Sequence, residues 1–305
     1  MTADTITAVD TRINARWLIP VVPVGVVLEH QALLIQGDRI EAIVPQAEAD
    51  QRYRARETVD LPLHAIMPGL VNAHGHAAMS LFRGMADDLP LMTWLNEHIW
   101  PAEGKFISSE FIADGTRLAI AEMLRTGTTC FSDMYFFPEV AAQVASDIGI
   151  RGQICFPVLD FPTPWGSGPD EYLSKGAALA EQWAGDPYIR IAIGPHAPYT
   201  VSDEPLKAIA KLAKQKQIAI QIHLHETAFE VTDALEKTGL RPSQRLADIG
   251  LLSPATQCVH MTQVDDTDLD LIKSSGAHII HCPESNLKLA SGFCPVVRIQ
   301  KAGIN

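Results

Sequence analysis

Pro68-Gly69-Leu70-Val71-Asn72-Ala73-His74-Gly75-His76 is a short apolar run that ends on two histidines one residue apart. Ile218-Ala219-Ile220-Gln221-Ile222-His223-Leu224-His225-Glu226 has the same design. Each apolar part has the length of a buried strand. Residues i and i+2 of a strand face the same way, so both imidazoles of a His-x-His pair can reach one ion. With 11 histidines in 305 residues, chance alone gives such pairs often enough that spacing is weak evidence. Position is the stronger argument, because both pairs close a strand.

Working outward, strand candidates recur at Ile66–Ala73, Thr129–Met134, Gly152–Val158, Ile189–Gly194, Ile218–His223, Thr256–His260 and Ala277–His281. Helix candidates lie between them. Ser108–Leu124 opens on Ser108-Ser109-Glu110 and stops before Gly127, and Asp170–Trp183, Asp203–Gln215 and Asp265–Ser274 begin at or just after capping residues. Such βα repeats imply a parallel sheet with helical crossovers. The series predicts a (β/α)8 barrel over 66–305 rather than an open doubly wound sheet, with the eighth strand not in the sequence. Residues 1–65 read as short strands instead. Ala32-Leu33-Leu34-Ile35 and Arg39–Val44 flank a Gly37-Asp38 turn, and Val59–Leu63 follows. That segment is too small for a good core of its own, so it is expected to pack on something larger.

In a barrel of this kind, chemistry sits at the carboxyl ends of the strands. His196 closes the fourth strand candidate, His260 the sixth and His281 the seventh, and Glu226 follows His223 by three residues. Histidines from five strand ends then meet at one mouth, which points to a metal site. Lone ones such as His30, His64, His98 and His278 read as core or capping residues. Neutral imidazoles suit Zn2+, although iron, manganese and nickel also accept them. A bound Zn2+ brings the pKa of its water towards about 7, and a carboxylic acid beside it then moves protons. Glu226 is placed for that task.

The charge balance, 24 Lys and Arg against 36 Asp and Glu, gives −12 and disfavours nucleic-acid polymers and anionic membranes. Five cysteines, an odd number with no Cys-x-x-Cys, argue for a reducing cytoplasm and against a disulfide framework or a four-thiolate zinc site. The Pro-Cys-x-x-Cys run of cytidine deaminases is absent, as are the phosphate-loop and dinucleotide-binding glycine motifs. Met1 to Pro20 lacks the apolar core of a signal peptide. Ile19–Leu28 is too short to span a bilayer.

The Pro68–His76 run, Arg125-Thr126-Gly127-Thr128-Thr129, Ser132-Asp133-Met134-Tyr135, Gly194-Pro195-His196-Ala197-Pro198-Tyr199, His223-Leu224-His225-Glu226-Thr227 and Ser285-Asn286-Leu287-Lys288-Leu289 together resemble the amidohydrolase superfamily. Within it they are similar to the 5′-methylthioadenosine/S-adenosylhomocysteine deaminase branch, near the triazine chlorohydrolases and guanine deaminases. The resemblance implies a metal-dependent hydrolase, a barrel with a composite β-sandwich, and one divalent ion, with Zn2+ the first choice. His74, His76 and His223 would be the metal ligands. Glu226 would protonate the purine ring nitrogen and His260 would orient the attacking hydroxide. His196 would contact the substrate and Glu103 would hold the ribose hydroxyls, with a solvated helix residue as the bland reading of Glu103. Trp94, Phe82 and Trp165 are candidates for an apolar wall, with core packing the alternative for Trp94 and Phe82. His225 and His281 read as packing or outer residues, and Cys282 as a structural thiol.

Binuclear relatives carry a carboxylated lysine at the fourth strand. No lysine lies between Lys175 and Lys207 here, so a single ion is expected. The family's Asp at the end of the eighth strand also lies beyond this sequence, so the chain is expected to be a fragment of a longer protein. The implied reaction is hydrolytic deamination of an adenosine thioether or adenosine at C6 by metal hydroxide, with release of ammonia. The substrate is a small purine nucleoside, and the family leaves room for a homo-oligomer. Rival readings are a guanine, triazine or cytosine deaminase, a chlorohydrolase, or a metal- or nucleoside-binding fragment without catalysis.

Overall fold

The computed structural model describes residues 6–305. Residues 1–5 of the Met1–Pro20 stretch read above lie outside them. Contacts divide the chain into two compact units, Met1–Gly69 and Leu70–Asn305.

The first unit is a four-stranded sheet in the order β3-β2-β1-β4. Its strands are β1 (Thr7–Leu18), β2 (Leu28–Gln36), β3 (Arg39–Pro45) and β4 (Tyr53–Ile66), with helix α1 (Gln46–Arg52) between the last two. β1 pairs antiparallel with β2, β2 pairs antiparallel with β3, and β1 runs parallel to β4. The outer strands are longer than the sequence pattern suggested, because Val59–Leu63 is the middle of the 14-residue β4. Val9, Ala32 and Leu34 of the sheet form a small buried cluster with Ala49 of α1.

The second unit holds seven strands in chain order, β5 (Leu70–Asn72), β6 (Thr128–Met134), β7 (Arg151–Val158), β8 (Ile189–Pro195), β9 (Ile220–Leu224), β10 (Thr256–His260) and β11 (His278–Ile280). Each pairs in parallel with its neighbour. This is the curled parallel sheet of a (β/α)8-type barrel, seven strands of it among the described residues. Parallel neighbours need crossovers, and helices supply them. After β5 come a 3-10 turn at Ala77–Phe82, then α2 (Leu91–Thr93), a π-helical turn at Trp94–Ile99, α3 (Trp100–Phe106) and α4 (Ser109–Arg125). Then follow α5 (Pro138–Ile148), α6 (Pro169–Gln182), α7 (Asp203–Lys216), α8 (Ala228–Thr238), α9 (Pro242–Ile249), α10 (Asp266–Ser275), α11 (Pro283–Lys288) and α12 (Val296–Lys301).

Two of the four expected helix starts carry a side-chain cap, while α6 starts after Gly168 and α7 after Ser202 with no side-chain cap hydrogen bond. Ser108 Oγ accepts from the Phe111 N–H at 3.2 Å, and Asp265 and Asp268 form a reciprocal capping box at α10. Phe131, Ile154, Phe156, Ile193, Ile220 and Ile222 fill the core between sheet and helices. Full burial of one such side chain contributes about 1.5–3 kcal/mol. Inside the sheet, Gln153, Gln221 and Gln257 are joined by amide hydrogen bonds of 2.7–3.1 Å. Among the described residues no helix is long and apolar enough to cross a membrane.

Candidate metal centre and active site

The strand ends bring His74, His76, His196, His223, Glu226 and His260 to one cavity of about 550 Å3, which Trp94 also lines. Glu103 lies in an adjoining cavity of about 210 Å3 that shares His76, Trp94 and His196 with the first. The expected metal, proton-transfer and substrate residues, with Trp94 of the wall candidates, therefore face one of two neighbouring cavities. Trp165 does not. Its indole stacks on Tyr172 at 5.8 Å and its Nε1–H donates to Glu139 at 3.0 Å, so it is core. Phe82 packs on Phe111, with ring centroids 4.8 Å apart, and lines neither cavity.

Hydrogen bonds at Nδ1 fix how three of the rings are presented. A carbonyl oxygen only accepts. His76 Nδ1 lies 2.6 Å from Met134 O and His223 Nδ1 lies 2.6 Å from His196 O, so each Nδ1 carries the proton and each Nε2 keeps a lone pair. His74 follows through Gln221. The Gln221 amide N–H donates to Ala73 O at 3.1 Å, which turns Gln221 Oε1 onto His74 Nδ1 at 2.8 Å. His74 Nε2 and His223 Nε2 then face each other at 3.1 Å, lone pair to lone pair. Two such atoms repel unless a cation lies between them. Nitrogens bound to one tetrahedral ion at about 2.0–2.1 Å sit roughly 3.3 Å apart, so the pair fits a zinc-like ion.

Ligand atoms of His74, His223 and His260 all lie within 4.8 Å of one another. The His76 ring centroid is 4.9 Å from that of His74 and 5.4 Å from that of His223. Period-2 alternation would put His225 beside His223, but β9 ends at Leu224 and His225 has φ +52°. The ring turns away and is fully used: Nδ1–H donates to Gln263 O at 2.8 Å, and Nε2 accepts from the Ser243 N–H at 3.1 Å.

Two carboxyls stand out for their chemistry. Burial, with the Glu230 charge adding to it, pushes Glu226 up to about 8, so it holds a proton at neutral pH. Its Oε1 is 3.5 Å from His260 Nε2. Glu103 is buried rather than solvated. Burial raises it to about 7, against a 2.6 Å hydrogen bond from the Tyr135 hydroxyl. His281 lines the larger cavity without contacting the other rings through Nδ1 or Nε2, and burial pushes the neighbouring Cys282 thiol up to about 12, which makes it a poor nucleophile.

Several supporting residues escaped the sequence reading. Glu230 accepts from the backbone N–H groups of His225 and Glu226 at 2.9 and 2.8 Å. Asp133 accepts from the Ala77 N–H at 2.6 Å, one residue beyond His76. Gln221 and Tyr135 belong to the same class. For Asp133, Gln221 and Tyr135 the one signal is a polar side chain inside an apolar strand run or at its end, while Glu230 lies in the first turn of α8.

The buried titratable groups set a pH dependence for the metal-free chain. Burial holds Glu103, Asp133 and Glu230 near 7 and Glu226 near 8, so the fold keeps protons that the unfolded chain loses near its ordinary carboxyl values. Stability therefore falls as pH rises towards 8. Buried His74, His76, His196, His223, His225 and His260 are all lowered, which adds stability as pH rises but only up to their ordinary value of 6.5. Above it the carboxyls act alone. Thermal melting in chelator is expected to show a lower Tm at pH 8 than at pH 6.5, and a flat or rising Tm would contradict this assignment.

A sequence profile of the amidohydrolase family matches residues 65–305. The chain belongs to that family. It is 58% identical over 299 residues to a 5-methylthioadenosine/S-adenosylhomocysteine deaminase of Saccharophagus degradans, covering 98% of this chain and 67% of the relative. It is 51% identical to the protein of that name from Teredinibacter turnerae, covering 98% and 68%. The solved structure of an adenosine deaminase from Xanthomonas campestris with bound zinc superposes with a TM-score of 0.96 at 47% identity, covering 98% of this chain and 68% of that one. The chain thus spans about two thirds of the length of these relatives. A guanine deaminase from C. acetobutylicum shares the amidohydrolase fold at a TM-score of 0.86 and 21% identity.

Proposed function

We propose that this chain carries the metal-dependent hydrolytic deamination of an adenosine-type nucleoside, with 5′-methylthioadenosine, S-adenosylhomocysteine and adenosine as the substrate class. The carrying observation is the pair of facing Nε2 lone pairs on His74 and His223, set in one cavity with a buried carboxyl that holds a proton at neutral pH. Membership of a family with relatives named for this reaction supports it.

His74, His76 and His223 would hold one divalent ion, with Zn2+ the best fit to three neutral imidazoles. A bound ion supplies Lewis-acid activation of water at neutral pH. Glu226 gives its proton to the purine N1 as the water oxygen adds to C6, and its carboxylate takes up the proton that this oxygen releases. It passes that proton to the C6 amine, which departs as ammonia as the remaining hydroxyl proton returns to Glu226 and C6=O forms. His260 hydrogen-bonds the reacting oxygen. His196 contacts the base, Trp94 closes the apolar side of the cavity, and Glu103, held by Tyr135, takes the ribose hydroxyls. Residues 1–65 serve as a β-sandwich portion and 66–305 as the barrel. Five free cysteines suit a reducing cytoplasmic setting. The net charge of −12 fits a small substrate better than a polyanion, and self-association is the family-like state.

Metal content and ammonia release, measured together on this chain and on His223→Ala, test the reading. About one zinc per chain, with ammonia from an adenosine thioether and both lost in the variant, is the expected result. Zinc without ammonia from any of the three nucleosides would overturn the reaction and leave the metal site. Zinc bound equally by His223→Ala would overturn the site itself.

A further inference from the structure

The four imidazoles nearest the proposed metal position differ in what meets Nδ1. His74, His76 and His223 each face an acceptor oxygen there. His260 faces the side-chain nitrogen of Asn286 at 2.9 Å. Asn286 belongs to the Ser285–Leu289 run singled out in the sequence, to which no role has been attached. It is buried in α11, its backbone N–H donates to Cys282 O at 3.0 Å, and its own carbonyl accepts from the Ser291 N–H at 2.9 Å.

An amide N–H has to meet a lone pair. Nδ1 of His260 is therefore bare, and the neutral ring carries its single proton on Nε2. A protonated ring nitrogen has no lone pair for a metal. By position His260 looks like a third ligand, since its ligand atom groups with those of His74 and His223. Its hydrogen bonding makes it a donor. We propose that Asn286 is a positioning residue that fixes His260 as the Nε2–H form, so that the ring donates a hydrogen bond into the cavity and stays out of the metal's ligand set. Asn286 Oδ1 is buried with no hydrogen-bond partner among the described residues, so the bond to His260 is the side chain's one polar anchor. The catalytic consequence rests on the proposed deamination, while the proton's position on the ring does not.

Two-bond 1H–15N correlation spectra of the [15N]histidine-labelled chain, metal-free and with zinc, read each ring's proton directly, and His260→Gln assigns the signal. His260 is expected to show a protonated Nε2 and a bare Nδ1, opposite to the other three rings. A protonated Nδ1 on His260 would mean that the Asn286 amide faces the other way, and the proposal would fall. Asn286→Asp keeps the shape but presents only acceptors to the ring. The His260 pattern should then switch to a protonated Nδ1, with kcat down about 10–100-fold, KM less affected and zinc retained. A folded variant with an unswitched pattern would also overturn the proposal. Should Asn286→Asp not fold, the unsubstituted spectrum still decides. Loss of ammonia release by the unsubstituted chain would count against the deamination alone, because the ring assignment is read without turnover.

Discussion

Glu226→Gln is expected to lower ammonia release by about 10²–10⁴-fold with zinc content unchanged, the range that a positioned proton-transfer group contributes. The substitution is close to isosteric. It leaves the Glu226 backbone N–H on Glu230, so the loop after β9 keeps its anchor. The three rings proposed to hold the ion are fixed through their own Nδ1 partners, none of which is Glu226. What is lost is one transferable proton. Burial, aided by the Glu230 charge, keeps that proton in place up to about pH 8. The general-acid role is therefore available at neutral pH and lost as pH climbs past that value. A deficit below tenfold at matched zinc occupancy would remove Glu226 from the proton path. Loss of zinc in the variant would instead assign the carboxylate to the metal.

The distinction between Glu226 and Glu103 shows what the sequence can and cannot convey. Glu226 was legible because it follows His223 at the end of an apolar strand run. Strand order and the five histidine-bearing strand ends were legible for the same reason: period-2 alternation and chain order are local properties. Glu103 came only from resemblance, and its burial depends on Tyr135, 32 residues away. Trp165 was assigned to a substrate wall, but stacking on Tyr172 and a bond to Glu139, 26 residues earlier, take it into the core. His225 is packing, as read, although alternation alone would have put it beside His223: the backbone enters the left-handed region one residue beyond β9. Gln221 and Asn286 were invisible as functional residues because a proton on one ring nitrogen rather than the other leaves no trace in composition or spacing. Tertiary partners decide it.

Gly115→Ala links packing to the site and carries the largest expected stability effect. Gly115 lies in the middle of α4, and a Cβ there would stand 2.5 Å from Ala78 O and 2.7 Å from Ala78 Cα. Those are backbone atoms of the 3-10 turn that leaves His76, and that turn is pinned from the other side by Asp133 on the Ala77 N–H. No side chain can swing away to make room. Helix propensity opposes the clash, since alanine is favoured over glycine by about 0.5–1 kcal/mol in a helix interior. Overpacking a filled site costs about 1–3 kcal/mol and occasionally more, so the clash wins. Gly104 in α3 is the matched control, because a Cβ there meets nothing within 4 Å and propensity acts alone. Thermal melting should therefore show Gly115→Ala several degrees below the unsubstituted chain and Gly104→Ala level with it or above. Zinc retention should weaken in Gly115→Ala only, since α4 can relieve the contact only by pushing on the turn that begins at His76. Equal melting of the two variants would mean that α4 and the turn slide apart freely, and that the close approach of Gly115 to Ala78 does not hold the first strand's histidines in place.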